Sequence, residues 1–397
     1  MREKVVVKDL YKIFGPAPEQ ALELLEQGLS KDEIFERTRT TVGVQRADFA
    51  IHEGEVFVVM GLSGSGKSTL VRMLNRLIEP TRGEVRVDGT DITRMSRREL
   101  IRMRRSAMSM VFQSFALLPH KSVAENAAFG LDVAGVPKRA QRERAMRALE
   151  TVGLAANADS YPDELSGGMK QRVGLARALA TDAPILLMDE AFSALDPLIR
   201  TEMQDELVRL QSTEAHTIVF ISHDLDEAIR IGDRIAIMEG GAIVQIGTPE
   251  EIVTRPANDY VRSFFYGVDV SKVFSAGDIA VDRALTVFER TGMNVRAALA
   301  QLRDRGRSLA VVVDRGGRYR GMVSEGSLAN AARAAGEPRW EDALIQDLPP
   351  ATADTELSDV LSQVSGSDYP VPVVGADGRY RGIVDKTILL QTLDKTT

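Results

Sequence analysis

The chain has 397 residues, of which 44% are hydrophobic, and this length predicts at least two domains with packed cores. Its formal net charge of −7 gives no sign of a nucleic-acid-binding protein. The absence of cysteine excludes disulfides, cysteine-ligated zinc and thiol catalysis, and it fits a reducing compartment.

Neither a signal peptide nor a membrane span is recognisable in the sequence. The start, Met1 to Lys4, leads directly into a short apolar strand and not into the apolar core of a signal peptide. No apolar run approaches the roughly 18 residues that a membrane-spanning helix needs. We therefore expect a cytoplasmic protein that cannot form a pore. If it drives transport, the channel lies in another polypeptide.

The first part of the chain combines short strands with one helical segment. Residues 5–7 and 56–60 are predicted strands, and the leucines and isoleucine between them have helical spacing. We interpret residues about 16–42 as a helical insertion into the domain that these strands form.

A glycine-rich loop follows the strand at 56–60, and a helical pattern begins directly after it. Strand, glycine loop and helix in this order are the context that a phosphate-binding loop requires. The glycines let backbone N–H groups surround a β-phosphate at a helix N-terminus. Lys67 would reach the β- and γ-phosphates, and Ser68 would hold Mg²⁺. The predicted nucleotide-binding residues of this loop are Gly61, Ser63, Gly64, Ser65, Gly66, Lys67, Ser68 and Thr69.

Residues about 96–165 are predicted to be mostly helical, and strands then alternate with helices to about residue 245, as in a parallel sheet. The predicted strand at 185–190 ends in Asp189 and Glu190. Such strand ends lie at the sheet edge where ligands of α/β folds bind. Because phosphoryl transfer needs positioning and charge neutralisation, Asp189 is expected to anchor Mg²⁺ and Glu190 to deprotonate the attacking water.

Four further segments complete an ordered set of motifs. Gln113 follows a strand-like run, and residues 165–169 (Leu-Ser-Gly-Gly-Met) precede a helix. Residues 193–196 (Ser-Ala-Leu-Asp) follow the two carboxylates, and a buried strand ends at His223. Motif for motif and in this order, the chain resembles the ATP-binding subunits of ABC transporters.

The resemblance implies an α/β fold: a P-loop ABC-type nucleotide-binding domain with a RecA-like core and a helical subdomain. It also implies ATP and Mg²⁺ as cofactors. Gln113 would bind Mg²⁺ or the attacking water, and His223 would act with Glu190 in catalysis at the γ-phosphate. The remaining ATP-binding residues that it implies are Ser166, Gly167, Gly168 and Asp196.

The same resemblance implies a dimer. The loop at 166–168 binds the nucleotide of the opposite subunit in this family, and its helix N-terminus is suited to an anion. Met169 replaces the usual glutamine there, but the backbone donors remain. One chain holds one phosphate-binding loop and one copy of the loop at 166–168. Two chains must therefore meet head to tail to form two sites.

An aromatic residue near the end of the first strand stacks on adenine in this family. Phe14 matches that position and is expected to bind ATP. Tyr11 competes with it, and packing in the core is the third possibility for either ring.

The composition changes near residue 270, and the remainder contains an internal repeat with an offset of about 61 residues. Each copy reads helix, strand, turn, strand, helix. The repeat resembles a tandem pair of CBS domains, at about 279–337 and 341–397, which serves as a regulatory module. Many CBS pairs grip a ribose with an aspartate six residues after a strand glycine. This chain has Ser327 and Ile388 there, which argues against an adenosine ligand.

Four stretches narrow the resemblance to the ATPase subunit of osmoregulated glycine betaine/proline importers. They are the insertion, residues 59–66, residues 75–81 and residues 188–200. The resemblance covers an ABC ATPase domain at 1–267 and a CBS pair at 270–397. It implies ATP-driven import through a separate membrane permease, fed by a substrate-binding protein. The chain would lie peripherally on the cytoplasmic face of the membrane.

The ATPase of another ABC importer is an alternative, and two other function classes are open. A soluble ABC ATPase of translation or DNA repair usually has two ATPase units or long coiled coils, and this chain has neither. A regulator that only senses a nucleotide would not need an intact Glu190 and His223. Co-purification with a permease and an ATPase assay separate these classes.

Overall fold

The computed structural model describes residues 2–112, 116–193, 195–214, 216–265, 273–288, 294–333 and 338–394. The chain divides into two compact units, unit 1 (Met1–Phe265) and unit 2 (Tyr266–Thr397). Each unit has its own hydrophobic core. Within the described ranges, no helix has the length and apolar character to cross a membrane.

Unit 1 contains two sheets. The antiparallel sheet consists of β1 (Glu3–Phe14), β2 (Thr41–His52), β4 (Arg82–Val87) and β5 (Thr90–Asp91), in the order β2-β1-β4-β5. The other sheet consists of β3 (Val56–Met60), β6 (Met108–Val111), β7 (Ile185–Asp189), β8 (Thr217–Ile221), β9 (Arg234–Glu239) and β10 (Ala242–Gly247). Its order is β10-β9-β3-β8-β7-β6, and all neighbours are parallel except β9 and β10.

Burial explains why the central strands read as continuous apolar runs. Every residue of β3, β7 and β8 is buried, as expected for parallel strands that are covered on both faces. These three strands are neighbours in the sheet. Since their carboxyl ends meet at one edge, the segments that follow Met60, Asp189 and Ile221 are brought together there.

Twelve α-helices are described in unit 1. They are α1 (Pro18–Glu26), α2 (Lys31–Thr38), α3 (Lys67–Leu74), α4 (Arg97–Ala107), α5 (Val123–Ala127), α6 (Phe129–Val133), α7 (Lys138–Thr151), α8 (Gly167–Leu179), α9 (Pro197–Glu214), α10 (Leu225–Ile231), α11 (Pro249–Thr254) and α12 (Asp259–Ser263). Helices α1 and α2 lie between β1 and β2, and the buried Ala21 and Ile34 form a small core with Ile13 and Val42. Helices α5 and α7 pack on α8.

Unit 2 repeats one arrangement twice. The strands are β11 (Leu285–Phe288), β12 (Leu309–Val313), β13 (Tyr319–Ser324), β14 (Ala351–Thr352), β15 (Val371–Val374) and β16 (Tyr380–Val384), and the helices are α13 (Ala276–Ile279), α14 (Val295–Asp304), α15 (Glu325–Arg333), α16 (Leu357–Ser365) and α17 (Lys386–Asp394). The strand orders are β11-β12-β13 and β14-β15-β16. In each sheet the first pair is parallel and the second is antiparallel.

The two repeats are joined through equivalent positions. Tyr319 N donates to Gly378 O and Tyr380 N donates to Gly317 O, each over 3.0 Å. Both tyrosine rings pack in a shared core around Val311. Among the described residues, neither hydroxyl group has a hydrogen-bond partner although both are buried.

This buried pair of tyrosines should make unit 2 sensitive to alkali. Burial raises the pKa of Tyr319 to about 12 and raises that of Tyr380 as well. As pH rises, these two tyrosines therefore lose their protons in the unfolded chain before they do so in the folded one. The contribution of their neutral, buried form to the stability of unit 2 is fully present below about pH 10 and is lost as pH rises towards the folded-state pKa. We expect the unfolding free energy of unit 2 to fall between about pH 10 and 12. Urea titrations followed by the fluorescence of Trp340, the only tryptophan and a neighbour of the unit 2 core, measure it.

Replacing both tyrosines with phenylalanine should flatten this decrease. Tyr369→Phe, in the same unit but outside the shared core, is the matched control and should leave it unchanged. An equally steep decrease in the double variant would contradict the assignment.

Candidate active site

The phosphate-binding loop runs from β3 to α3 at the carboxyl edge of the parallel sheet. Gly61 and Gly66 have φ of 149° and 103°. A Cβ at either position would collide with a carbonyl oxygen, of Met238 and Gly43 respectively, so only glycine fits there. A Cβ on Gly64 would meet nothing within 4 Å. The loop is therefore packed on one side and open on the other, as a phosphate cradle must be.

Lys67 lies inside this loop. Its Nζ donates to Gly61 O over 2.8 Å and to Leu62 O over 3.0 Å. Desolvation by burial lowers the pKa of Lys67, and Glu190 and Asp189 oppose this shift. The ammonium group is thus held at the loop, beside the carboxylates, in a place from which it can pair with a phosphate. Ser65 Oγ is buried there too, without a hydrogen-bond partner among the described residues.

Asp189 ends β7 and is fully buried. Ser68 Oγ donates to its Oδ1 over 2.8 Å, and Arg72 Nη2 donates to its Oδ2 over 3.0 Å. A hydroxyl and a carboxylate oxygen side by side are hard ligands of the kind that Mg²⁺ prefers. Their position beside the phosphate-binding loop fits a metal ion bound to a nucleotide.

Glu190 and His223 face each other at the same edge. Glu190 has a left-handed backbone (φ 49°), and its carbonyl oxygen accepts from Ser193 Oγ over 2.9 Å. Its Oε1 lies 3.9 Å from His223 Nδ1. Both residues line a cavity of about 10 Å³, the size that one water molecule needs. A left-handed non-glycine residue is strained and is common at active sites.

The predicted signature loop lies at the start of α8. Ser166 is the N-cap residue of this helix, and its Oγ accepts from Met169 N over 3.3 Å. Ser166 and Gly167 are exposed. Asp196 is exposed as well, and its Oδ1 accepts from Ile199 N over 3.1 Å in α9. Within the part of the chain that is described, no hydrogen bond joins Ser166 or Asp196 to the phosphate-binding loop.

Phe14 and Tyr11 differ sharply in exposure. Phe14 is 41% exposed, and a Cβ on Gly43 would be 2.7 Å from its Cε2, so the ring lies directly against that glycine. Tyr11 is 8% exposed and packs under Arg82. The exposed ring at the end of β1 is the one that can stack on a base.

We expect Phe14→Ala to weaken ATP binding by about 10-fold, because stacking of a base on an aromatic ring contributes roughly 1–3 kcal/mol. Inorganic triphosphate, which has no base, should compete equally well in both proteins. Competition against a fluorescent nucleotide measures both affinities, and Phe14→Trp is the control that should restore ATP binding. Equal weakening for triphosphate would show that the change disturbs the loop instead.

The structure also shows contacts that the sequence did not indicate. Arg72 and Gln171, which reach Asp189 and the Glu190 carbonyl, were not predicted. Arg72 could have been found, because it follows Ser68 by one helical turn and so shares its face of α3. Gln113 lies outside the described residues.

Comparison with known proteins found a family match in each of the two units. The ABC transporter model matches residues 44–193, and the CBS domain model matches residues 276–334. The glycine betaine/proline betaine transport system ATP-binding protein ProV of Salmonella typhimurium is 57% identical, over 100% of this chain and 98% of its own length. The glycine betaine transport ATP-binding protein OpuAA of Bacillus subtilis is 48% identical, over 98% of this chain and 92% of its own.

Solved structures of an ABC transporter cassette are similar to part of this chain. A dimeric structure of the bacterial ABC transporter cassette MJ0796 is 30% identical, with a TM-score of 0.54, and covers 62% of this chain and 98% of its own. A second structure of that cassette, in a post-hydrolysis state, is bound to ADP and Pi.

Fold and site together define an ABC-type ATPase, so the predicted fold class and the prediction of an ATP-hydrolysing enzyme are confirmed. The chain belongs to the family of glycine betaine transport ATP-binding proteins that includes ProV and OpuAA. Members of this family bind ATP.

Proposed function

We propose that this chain powers the import of glycine betaine- and proline-type compatible solutes. The observation that carries the proposal is the identity of 57% to a glycine betaine/proline betaine transport protein over the whole chain, both units included. The geometry around Asp189 supports the energy-converting step, because the residues that hydrolysis needs lie at one sheet edge.

Each residue of the site has one task in this proposal. Phe14 stacks on adenine, Lys67 and the loop amides bind the phosphates, and Ser68 with Asp189 holds Mg²⁺, which neutralises phosphate charge when bound. Glu190 accepts the proton of the attacking water, and His223 stabilises the γ-phosphate. Gln113 binds either Mg²⁺ or the attacking water.

The active form is a head-to-tail dimer. Ser166, Gly167 and Asp196 are exposed and make no hydrogen bond to their own phosphate-binding loop within the described residues. This is what residues that bind the partner's nucleotide require. The similar cassette MJ0796 is dimeric, which supports the same arrangement.

The remaining partners follow from the class of transporter. We assign residues 1–267 to the ATPase domain and residues 270–397 to the regulatory CBS pair. A membrane permease receives the dimer on its cytoplasmic face, and a substrate-binding protein delivers the solute. In the CBS pair, Ser327 Oγ is used locally, since it accepts from Ser324 N over 2.9 Å, and Ile388 is buried. Neither position provides a carboxylate for a ribose.

Reconstitution tests the proposed function. The chain is assembled in vesicles with its partner permease and substrate-binding protein. ATP hydrolysis and solute uptake are then measured together. Glycine betaine should stimulate both activities, whereas glycine, which lacks the methyl groups, should stimulate neither; Lys67→Ala is the inactive control. Hydrolysis that no quaternary amine stimulates would refute the substrate assignment. Failure to bind any permease would favour a soluble ATPase.

A further inference from the structure

A buried polar cluster lies directly behind the turn that carries His223. It consists of Ser222, Glu227 and Gln204, which are 1%, 8% and 5% exposed. Ser222 precedes His223 in the chain, Glu227 lies in the first turn of α10 and Gln204 lies in α9. Buried polar groups of this kind persist in folded proteins when they are hydrogen-bonded to one another.

Both carboxylate oxygens of Glu227 are engaged. Ser222 Oγ donates to Oε2, and Gln204 Nε2 donates to Oε1 over 3.0 Å. The turn is closed further by Asp224, whose N donates to Ser222 Oγ over 2.9 Å and whose Oδ1 accepts from Glu227 N over 3.3 Å. The backbone on both sides of His223 is therefore fixed to Glu227.

Helix α9 reaches the same turn at a second point. Arg200 Nη1 lies 3.5 Å from Asp224 Oδ2, and Arg200 Nη2 donates to Leu195 O over 3.4 Å. Asp196 directly precedes α9 and belongs to the segment that is proposed to bind the opposite subunit's nucleotide. Arg200 and Gln204 thus connect that segment to the His223 turn within one chain.

We propose that Glu227 is a positioning residue for ATP hydrolysis, whose carboxylate holds the His223 turn against α9 so that the imidazole stays within reach of Glu190. This inference rests on the proposed role of His223. The geometry explains the need for it, because the His223 side chain is 62% exposed and so receives little support from packing. Burial raises the pKa of Glu227, and the hydrogen bonds from Ser222 and Gln204 counteract this shift.

Two substitutions at Glu227 test whether its hydrogen bonds position the His223 turn. Glu227→Ala leaves Gln204 Nε2 without its acceptor and frees the turn, so we expect kcat to fall by about 10-fold while the Kd for ATP changes by less than about twofold. Glu227→Gln should retain near wild-type kcat. Its amide oxygen can accept from Gln204, and its amide nitrogen can donate to Ser222 Oγ, which can then donate to Asp224 O, 3.1 Å away.

Glu55→Ala is the matched control, because Glu55 is a glutamate of similar burial (6% exposed) that binds Arg234 at the other end of the sheet. It should lower stability without lowering kcat per folded molecule. Gln204→Leu, of similar volume, covers the case in which Glu227→Ala does not fold. Gln204→Leu should lower kcat. The double variant Gln204→Leu/Glu227→Ala should have a kcat no lower than that of Glu227→Ala alone, because both changes break the same hydrogen bond.

Wild-type kcat in folded Glu227→Ala or Gln204→Leu would overturn the proposal, as would an equal loss in Glu227→Gln and Glu227→Ala. The proposed function is tested separately by Glu190→Gln and His223→Ala. Should those variants lose activity while Glu227→Ala keeps it, only the positioning role fails.

Discussion

Glu190→Gln should lose most ATP turnover, by about 10²–10⁴-fold, while it keeps ATP binding. The amide matches the carboxylate in size, but it cannot take the proton of the attacking water. Lys67, Ser68 and Asp189 are untouched, so the phosphate cradle remains. Phosphate release measures turnover, and competition with a fluorescent nucleotide measures binding.

The same variant should trap the dimer. Because ATP binds but is not cleaved, gel filtration with ATP should show a species of twice the mass, which wild type forms only transiently. Glu239→Gln is the matched control: Glu239 ends β9, another strand of the same sheet, and is exposed. It should hydrolyse ATP at the wild-type rate. Near-normal turnover in Glu190→Gln would remove Glu190 from the role of general base.

Contiguous motifs explain why so much of the site could be predicted. A phosphate-binding loop needs its glycines, lysine and serine in one short segment between a strand and a helix, and residues 61–69 supply them. The strand end at Asp189 and the turn at His223, two residues beyond the end of β8, were indicated by fully buried apolar runs, which parallel strands produce. Their convergence follows from the neighbouring positions of β3, β7 and β8.

Contacts between distant residues were beyond such patterns. Arg72 binds Asp189 across 117 residues of sequence, and Gln204 binds Glu227 from a different helix. The prediction also found only residues 5–7 of β1, which extends over Glu3–Phe14 because it pairs with β2 on one side and β4 on the other. Similarly, the short strands β11 and β14 are defined by their pairing with β12 and β15 and not by an apolar run of their own.

Ser166→Arg should abolish most ATP hydrolysis, by about 10²-fold or more, without weakening ATP binding by the isolated chain. The new side chain puts bulk and charge at the exposed start of α8, where the partner's γ-phosphate is proposed to bind. The phosphate-binding loop of the same chain is unaffected, since Ser166 makes no hydrogen bond to it among the described residues. Loss of ATP binding by the monomer would place this loop in its own chain's site.

Mixing two inactive variants tests the head-to-tail arrangement directly. Ser166→Arg copies keep an intact phosphate-binding loop, and Lys67→Ala copies keep an intact start of α8. A mixed dimer then contains one complete site and one doubly damaged site. With random pairing and independent sites, an equal mixture should recover about a quarter of wild-type turnover. If both functions belonged to one chain, neither copy would contain a complete site, and the mixture would stay as inactive as its components.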